Sequence, residues 1–205
     1  DRRFWLVDEG GRLFNDKRHG PLVRIRPEWD EATRALALHF PDGTTVSGTV
    51  EPGERVDMPM YGAPVASRVV DGPWAEALSE YAGTPLRLLF AKQSAVDRVP
   101  GGGTVSLVSR GSLARLAAEA GAREPLDGRR FRMLFEVDGL LPHEEDTWIG
   151  SDVAIGDAVI RINGDIGRCV VTTHDPDTGA TTVDTPGALA RSRPEGAAGP
   201  PPFGG

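Results

Sequence analysis

The chain has one cysteine, Cys169, and its neighbours make it the first residue to consider for chemistry. Arg168 precedes it, and a hairpin predicted to turn at Asn163-Gly164 brings Arg161 opposite it. Cationic neighbours favour the thiolate, which is the form of cysteine that attacks electrophiles and binds soft metals. The residues leave two interpretations open: a small buried apolar side chain, or a thiolate that acts as a nucleophile or a metal ligand.

The same hairpin predicts which side chains face the same way as the thiol. Its returning strand is predicted from about Ile166 to Thr173, and successive side chains of a strand point to opposite faces. Cys169 then shares a face with Val171 and Thr173, whereas Arg168 points to the other face.

Arginine supplies nearly all of the positive charge, because the chain has only two lysines, Lys17 and Lys92. Arg2-Arg3, Arg129-Arg130 and Arg132 cluster in an otherwise acidic chain. A guanidinium group makes planar, two-pronged contacts with phosphate. These arginines are therefore candidate anion ligands, and the alternative is ordinary ion pairing with acidic residues at the surface.

Other catalytic patterns have less support in the sequence. The run Glu144-Glu145-Asp146 could hold an acid/base pair or a metal, but adjacent acids rarely converge, so we predict a solvated turn. The four histidines lack the spacing of a zinc site, and no Gly-x-Ser-x-Gly motif occurs. A single cysteine also excludes an intrachain disulfide framework.

Length, charge and hydropathy narrow the class of protein further. The 205 residues, 39% of them hydrophobic, suit one large domain or two small ones. A net charge of −7 argues against a general nucleic-acid binder. No apolar run approaches the roughly 20 residues that cross a bilayer, and the chain opens with charge instead of a signal peptide. These features predict a protein of the reducing cytoplasm.

Short strands dominate the predicted architecture that positions these residues. Predicted strands or strand-like segments cover residues 4–7, 22–25, 35–40, 45–50, 86–90, 104–108, 130–137, 153–155, 158–162 and 166–173. Pro41-Asp42-Gly43 predicts a hairpin turn, and helices are predicted over 74–82 and, with Ser112 as N-cap, over 112–120. The pattern is mainly β with a few short helices and favours a meander or barrel over alternating β-α units.

The segment around the cysteine resembles the signature of a known family. Gly167-Arg168-Cys169-Val170-Val171-Thr172-Thr173, followed by the turn Asp175-Pro176-Asp177-Thr178-Gly179, is similar to the motif of MOSC domains, the C-terminal domains of molybdenum cofactor sulfurases. Residues 1–7, 105–113 and 130–148 resemble further family motifs in the same order. The family often has Arg-Pro-Asn where this chain has Arg132-Met133-Leu134.

The resemblance implies a MOSC-type β-barrel that binds a molybdenum–pterin cofactor. Cys169 matches the cysteine that ligates molybdenum in amidoxime-reducing members, so it is the predicted metal ligand and catalytic residue. Arg3 matches an arginine that faces the cofactor phosphate, and Arg132 matches one near the pterin. Arg168 and Thr172 complete the predicted cofactor-binding set.

The family motifs also suggest three parts and a chain that extends beyond residues 1 and 205. Residues 1–85 form an N-terminal β-barrel part that is truncated at its start, residues 86–185 the MOSC core, and residues 186–205 a Pro/Gly-rich tail predicted to be loop.

Two functions from different classes follow from the resemblance. The first is an oxidoreductase that reduces N- or S-oxygenated small molecules with electrons from a separate flavin or iron–sulfur donor, because one cysteine cannot hold a cluster. The second is a non-redox sulfur carrier or cofactor-handling protein with a persulfide on Cys169. A third, simpler interpretation is a degenerate fragment that binds no cofactor.

Overall fold

The computed structural model describes residues 3–60, 63–91 and 105–192, which form short strands joined by a few short helices. The strands are β1 (Phe4–Asp8), β2 (Leu13–Phe14), β3 (Arg26–Asp30), β4 (Ala35–His39), β5 (Thr45–Thr49), β6 (Glu51–Met60), β7 (Ala63–Asp71), β8 (Leu86–Phe90), β9 (Leu107–Ser109), β10 (Phe135–Val137), β11 (Asp152–Ile155) and β12 (Ala158–Arg161). The α-helices are α1 (Trp74–Ala82), α2 (Arg110–Glu119) and α3 (Thr185–Ser192). The 3₁₀ helices are η1 (Gly20–Arg24), η2 (Gly128–Phe131), η3 (Glu144–Trp148) and η4 (Val170–Thr173). The predicted class, mainly β with a few short helices, is confirmed.

The chain folds as two compact units. The first comprises Asp1–Val99 with Asp177–Gly179, and the second comprises Pro100–Pro176 with Ala180–Gly205. The first unit holds a five-stranded sheet in the order β2-β1-β8-β7-β6 and a three-stranded sheet in the order β3-β4-β5. The second unit holds the parallel pair β9 and β10 and the antiparallel pair β11 and β12. Every sheet among the described residues is open at both edges, so these strands do not close into the expected barrel.

Local signals determine most of the first unit. The predicted hairpin joins β4 to β5, and Gly43 adopts the positive φ of 89° that this turn needs. Helix α1 has the predicted bounds and ends at Gly83 in the left-handed conformation. It buries Trp74, whose indole N–H donates to the carbonyl of Leu36 at 3.2 Å. The strand predicted over 22–25 is wrong: the segment is helix η1, because Pro21 in its first turn fixes a helical φ.

The second unit is built on two helices that share an apolar core. Leu113 and Leu116 of α2 pack with Ala188 and Leu189 of α3, and all four are buried. Asp184 accepts a bond from the Gly187 amide at 2.9 Å, which caps the start of α3. The predicted loop over 186–205 is therefore wrong for residues 186–192, which lie in α3, and the rest of that tail lies outside the described residues. None of the helices in the described ranges is long and apolar enough to cross a bilayer.

The hairpin predicted at Asn163-Gly164 is also wrong. Strand β12 pairs with β11 before it, and residues 170–173 form helix η4 instead of a returning strand. The Thr173 hydroxyl donates to the Val170 carbonyl at 2.7 Å, and threonines that bond their own backbone in this way favour turns over strands. Residues 130–131 of the strand-like 130–137 segment likewise belong to a helix, η2, and only Phe135–Val137 of that segment pair as a strand.

The acidic run at 144–146 holds a buried carboxylate where the sequence predicted a solvated turn. Glu145 is 1% exposed, and its Oε1 accepts a bond from the amide of Ser109, the N-cap of α2, at 3.0 Å. Desolvation acts to raise the pKa of Glu145, but bonds from Ser112 and Ser109 outweigh it and hold that pKa below its usual 4.5. The N-cap of α2 is Ser109 and not the predicted Ser112. The hydroxyl oxygen of Ser109 accepts a hydrogen bond from the Ser112 amide at 3.0 Å.

We predict that Glu145→Gln destabilises the protein by about 1–3 kcal/mol at pH 7, because it weakens a charge-assisted bond at a buried helix start. The folded-state pKa is lowered, so this stabilisation is present above pH 4.5 and is lost as the pH falls through the folded pKa. Urea unfolding followed by circular dichroism at pH 7 and near pH 3 measures both effects. Glu124→Gln, at an exposed position, is the control. An equal deficit at both pH values would contradict the prediction.

Candidate functional site

Cys169 lies in the second unit at the start of η4, where its thiol is free and half-buried. Its carbonyl accepts two bonds from Thr172, one from the amide at 3.1 Å and one from the hydroxyl at 2.9 Å. The backbone at Cys169 is therefore fixed by the first turn of η4. Cys169 is partly exposed as a residue, so it is not fully buried in the core.

Arg168 is buried beside the thiol. It is 7% exposed, and its Nη1 donates to the carbonyl of Phe131 at 3.2 Å while Nη2 lies 3.1 Å from the sulfur of Met133. Its guanidinium carbon lies 5.7 Å from the centroid of the Phe131 ring, within range of a cation–π contact. Burial lowers the pKa of Arg168 to about 10, and the interaction with Cys169 acts in the opposite direction. The side chain stays cationic at neutral pH in a desolvated position next to Cys169.

Thr172 supports the backbone that carries the thiol. Its hydroxyl lies 2.6 Å from that of Thr185, and both side chains are buried. Since Thr172 donates its one proton to the Cys169 carbonyl, Thr185 is the donor in the bond between the two threonines. Its predicted contact with a cofactor stays a prediction.

Arg130 lies close to the segment that carries Cys169 and hydrogen-bonds to it, which the sequence did not indicate. Its side chain is 8% exposed, and it donates from Nη1 to the carbonyl of Thr173 at 3.1 Å and from Nη2 to the hydroxyl of Thr182 at 2.8 Å. Asp175 lies 3.7 Å from Nη2. These acceptors are adjacent because the chain turns after Asp175, as predicted, and the Asp175 amide donates to the Ala180 carbonyl at 2.8 Å.

The remaining predicted residues have different surroundings. Arg132 is exposed at the end of η2, with a φ of 51°, between the two residues that contact Arg168. Arg3 belongs to the first unit, where its guanidinium pairs with Glu31 at 2.6 Å. Arg161 does not lie across a hairpin from Cys169, since it pairs with Asp152 at 3.0 Å on the β11–β12 hairpin. The second unit thus brings together Cys169, Arg168 and Thr172, with Arg132 beside the Arg168 contacts.

The side chains around Cys169 suit a metal that takes one ligand from the protein and its remaining ligands from a cofactor. Within the described ranges, no three His, Cys, Asp or Glu side chains are grouped so that they could hold a metal ion. An accessible thiolate is a soft ligand of the kind that heavier transition metals accept. The buried guanidinium of Arg168 interacts electrostatically with Cys169, and positive charge near the thiol favours an anionic group there. These residues fit a cofactor that carries negative charge and an open metal position.

We predict that Thr172→Val destabilises the protein by about 1–3 kcal/mol, because the buried Thr185 hydroxyl loses its acceptor while the volume is preserved. The double variant Thr172→Val with Thr185→Val removes both polar groups, so it should recover most of this loss. Urea unfolding measures the stabilities of Thr172→Val, Thr185→Val and the double variant relative to the wild type, and Thr181→Val, at an exposed position, is the control. A double variant that loses the sum of both single effects would refute the paired hydroxyls.

Several known proteins are similar to this chain. Residues 98–200 match the MOSC domain family. A molybdenum cofactor sulfurase of Drosophila grimshawi is 30% identical over 211 residues, which cover 93% of this chain and 26% of the relative. The chain therefore spans about a quarter of that protein. A solution structure of a Bordetella bronchiseptica protein aligns with 46% of this chain and 77% of its own, at 24% identity and a TM-score of 0.35. The family match extends over half of the sequence and includes the whole segment from η2 to α3, so the chain belongs to the MOSC domain family.

Proposed function

We propose that this MOSC protein binds a molybdenum–pterin cofactor with the Cys169 thiolate as the metal ligand. The observation that carries the proposal is a free, partly exposed cysteine directly after a buried arginine, within the segment that matches the family. Arg132 would contact the pterin, as the family resemblance implies, and the phosphate role of Arg3 stays a prediction. Arg168 holds positive charge next to the ligand, which favours a cofactor that is anionic.

We further propose that the loaded protein is an oxidoreductase for N- or S-oxygenated small molecules. The cofactor would supply oxygen-atom transfer: the N–O or S–O bond of the substrate breaks, and the oxygen leaves as water with two electrons and two protons. The electrons would come from a separate flavin or iron–sulfur protein, because one cysteine cannot hold a cluster. A free thiol suits the reducing conditions of the cytoplasm.

A second function is favoured by the relative that is a molybdenum cofactor sulfurase. In this alternative Cys169 carries sulfur instead of a metal. The thiolate attacks the outer sulfur of a donor persulfide, a new S–S bond forms on Cys169, and the donor leaves as a thiolate. The accessible position of the thiol serves this chemistry as well, and no electron donor is required.

We predict that the protein purified from cells that make the cofactor contains about one molybdenum per chain, and that Cys169→Ala loses it. Elemental analysis gives the metal content, and circular dichroism confirms that the variant is folded. Cys169→Ser tests the softness of the ligand: a hydroxyl is a poor ligand at neutral pH, so its metal content should also fall. Equal molybdenum in wild type and Cys169→Ala would refute the ligand assignment.

Mass spectrometry of the intact chain separates the two functions. One added sulfur atom on Cys169 without molybdenum supports the sulfur carrier, whereas molybdenum without that added mass supports the oxidoreductase. A wild-type chain that carries neither group after expression in such cells would count against both functions.

We predict that Arg132→Ala lowers the molybdenum content while the free energy of unfolding stays within about 0.5 kcal/mol of the wild type, because the side chain is exposed. Metal content after gel filtration, set against urea unfolding, makes the comparison. Arg123→Ala, at an exposed position on the loop after α2, is the matched control. Retention equal to that of the wild type would remove Arg132 from the site.

A further inference from the structure

Two adjacent residues of η2 hold the chain on either side of Cys169. The Phe131 carbonyl accepts from Arg168, one residue before the thiol, at 3.2 Å. Arg130 donates to the carbonyl of Thr173, the last residue of η4, at 3.1 Å. We propose that Arg130 is a positioning residue for Cys169, and that it fixes the direction of the thiol by anchoring the far end of η4. The inference relies on the proposed function only where that function names Cys169 as the reactive residue.

The contacts of Arg130 are those of an anchor inside the fold. Its side chain is 8% exposed, and burial of a guanidinium is costly unless its N–H groups and its charge are paired. Two acceptors from different segments, the Thr173 carbonyl and the Thr182 hydroxyl, receive its Nη1 and Nη2 protons. The Asp175 carboxylate, 3.7 Å away, balances the charge. Loss of the guanidinium would leave this group of acceptors without their common donor.

The contact of Arg130 with Thr173 can affect the Cys169 side chain because η4 is short and its residues are hydrogen-bonded to one another. A 3₁₀ helix has about three residues per turn, so the four residues of η4 form little more than one turn. The Cys169 carbonyl is bonded to the amide and hydroxyl of Thr172, the neighbour of Thr173. The Thr173 carbonyl also accepts from the Thr182 amide at 3.0 Å, so Arg130 reinforces a point that is already constrained. A shift at Thr173 is therefore passed along the turn to Cys169.

The sequence provides a specific readout of this arrangement. Cys169 is the only cysteine, so the rate of alkylation by iodoacetamide reports on one thiol with no background. Cys169 is half-buried in the folded chain, so alkylation is faster in conformations that expose the sulfur further. Release of η4 increases the population of such conformations.

We expect Arg130→Gln to accelerate alkylation of Cys169 at neutral pH by about tenfold, on the scale of one lost charged hydrogen bond. The matched control is Arg129→Gln: this neighbour lies on the same 3₁₀ helix but is exposed and pairs with Asp127 at 2.6 Å, so its rate should equal that of the wild type. A wild-type rate in folded Arg130→Gln, or equal acceleration in both variants, would overturn the inference.

A second measurement separates positioning from general loss of structure. In Arg130→Ala, free guanidinium ion at a non-denaturing concentration should slow alkylation again, whereas sodium chloride at the same concentration should not. Equal effects of the two salts would overturn the inference.

If the Arg130 variants do not fold, Thr182→Val removes one of the two acceptors, and about a threefold acceleration is expected. An unchanged rate in Thr182→Val would then reject the anchor.

The alkylation readout does not require a cofactor, so it distinguishes this inference from the proposed function. A wild-type chain that binds no molybdenum, together with accelerated alkylation in Arg130→Gln, rejects cofactor binding and retains the anchor. Molybdenum in the wild type, with unchanged alkylation and unchanged metal content in Arg130→Gln, retains cofactor binding and rejects the anchor.

Discussion

Two buried guanidinium groups constrain the segment that carries the only thiol of this chain. A cation taken out of water must find acceptors inside the fold, and backbone carbonyls are the nearest ones available. Arg168 finds the carbonyl of Phe131, and Arg130 finds that of Thr173. Each bond joins η2 to the segment from Arg168 to Thr173, so a four-residue helix without a core of its own is held at both ends. The position of the thiol follows from these carbonyl bonds more than from hydrophobic packing.

The buried Arg168 is consistent with the anionic ligand proposed for this acidic protein. The net charge of −7 acts over the whole surface and is screened by salt within about 10 Å. A desolvated guanidinium acts at short range with little screening, and Arg168 remains charged at neutral pH even though burial lowers its pKa. The local environment of Cys169 is therefore decided by its immediate neighbours. Net charge argues against a nucleic-acid partner without bearing on a small anionic cofactor.

Local signals in the sequence were sufficient for the elements whose stabilising contacts are also local. Helix α1 is bounded by Pro73 and Gly83, and strand β8 has its predicted bounds, Leu86–Phe90. The Pro41-Asp42-Gly43 turn fixes its own hairpin by allowing a positive φ. For the same reason the turn after Asp175 was predictable. In each case the residues that decide the conformation lie within a few positions of one another.

The elements around the candidate site were harder to predict because their partners are far apart in the sequence. Glu145 caps α2 through Ser109, 36 residues away, and Arg130 meets Thr173 and Thr182 across 43 and 52 residues. The Asn163-Gly164 hairpin signal predicted a returning strand over about 166–173, but three hydroxyl bonds, from Thr172, Thr173 and Thr185, stabilise a turn instead. Cys169 itself was found by residue type and by family motif, which do not depend on the conformation of the segment.

The departure from the family pattern at 133–134 lies where it alters the surroundings of the thiol without removing its support. The anchor of Arg168 is the carbonyl of Phe131, a backbone atom that every residue type provides. Met133 adds a thioether sulfur 3.1 Å from the guanidinium, a weak acceptor that a proline could not offer. Leu134 is 62% exposed, so it presents hydrocarbon to solvent where the family often has an amide. The bond from Arg168 to the Phe131 carbonyl therefore does not depend on which side chains stand at positions 133 and 134.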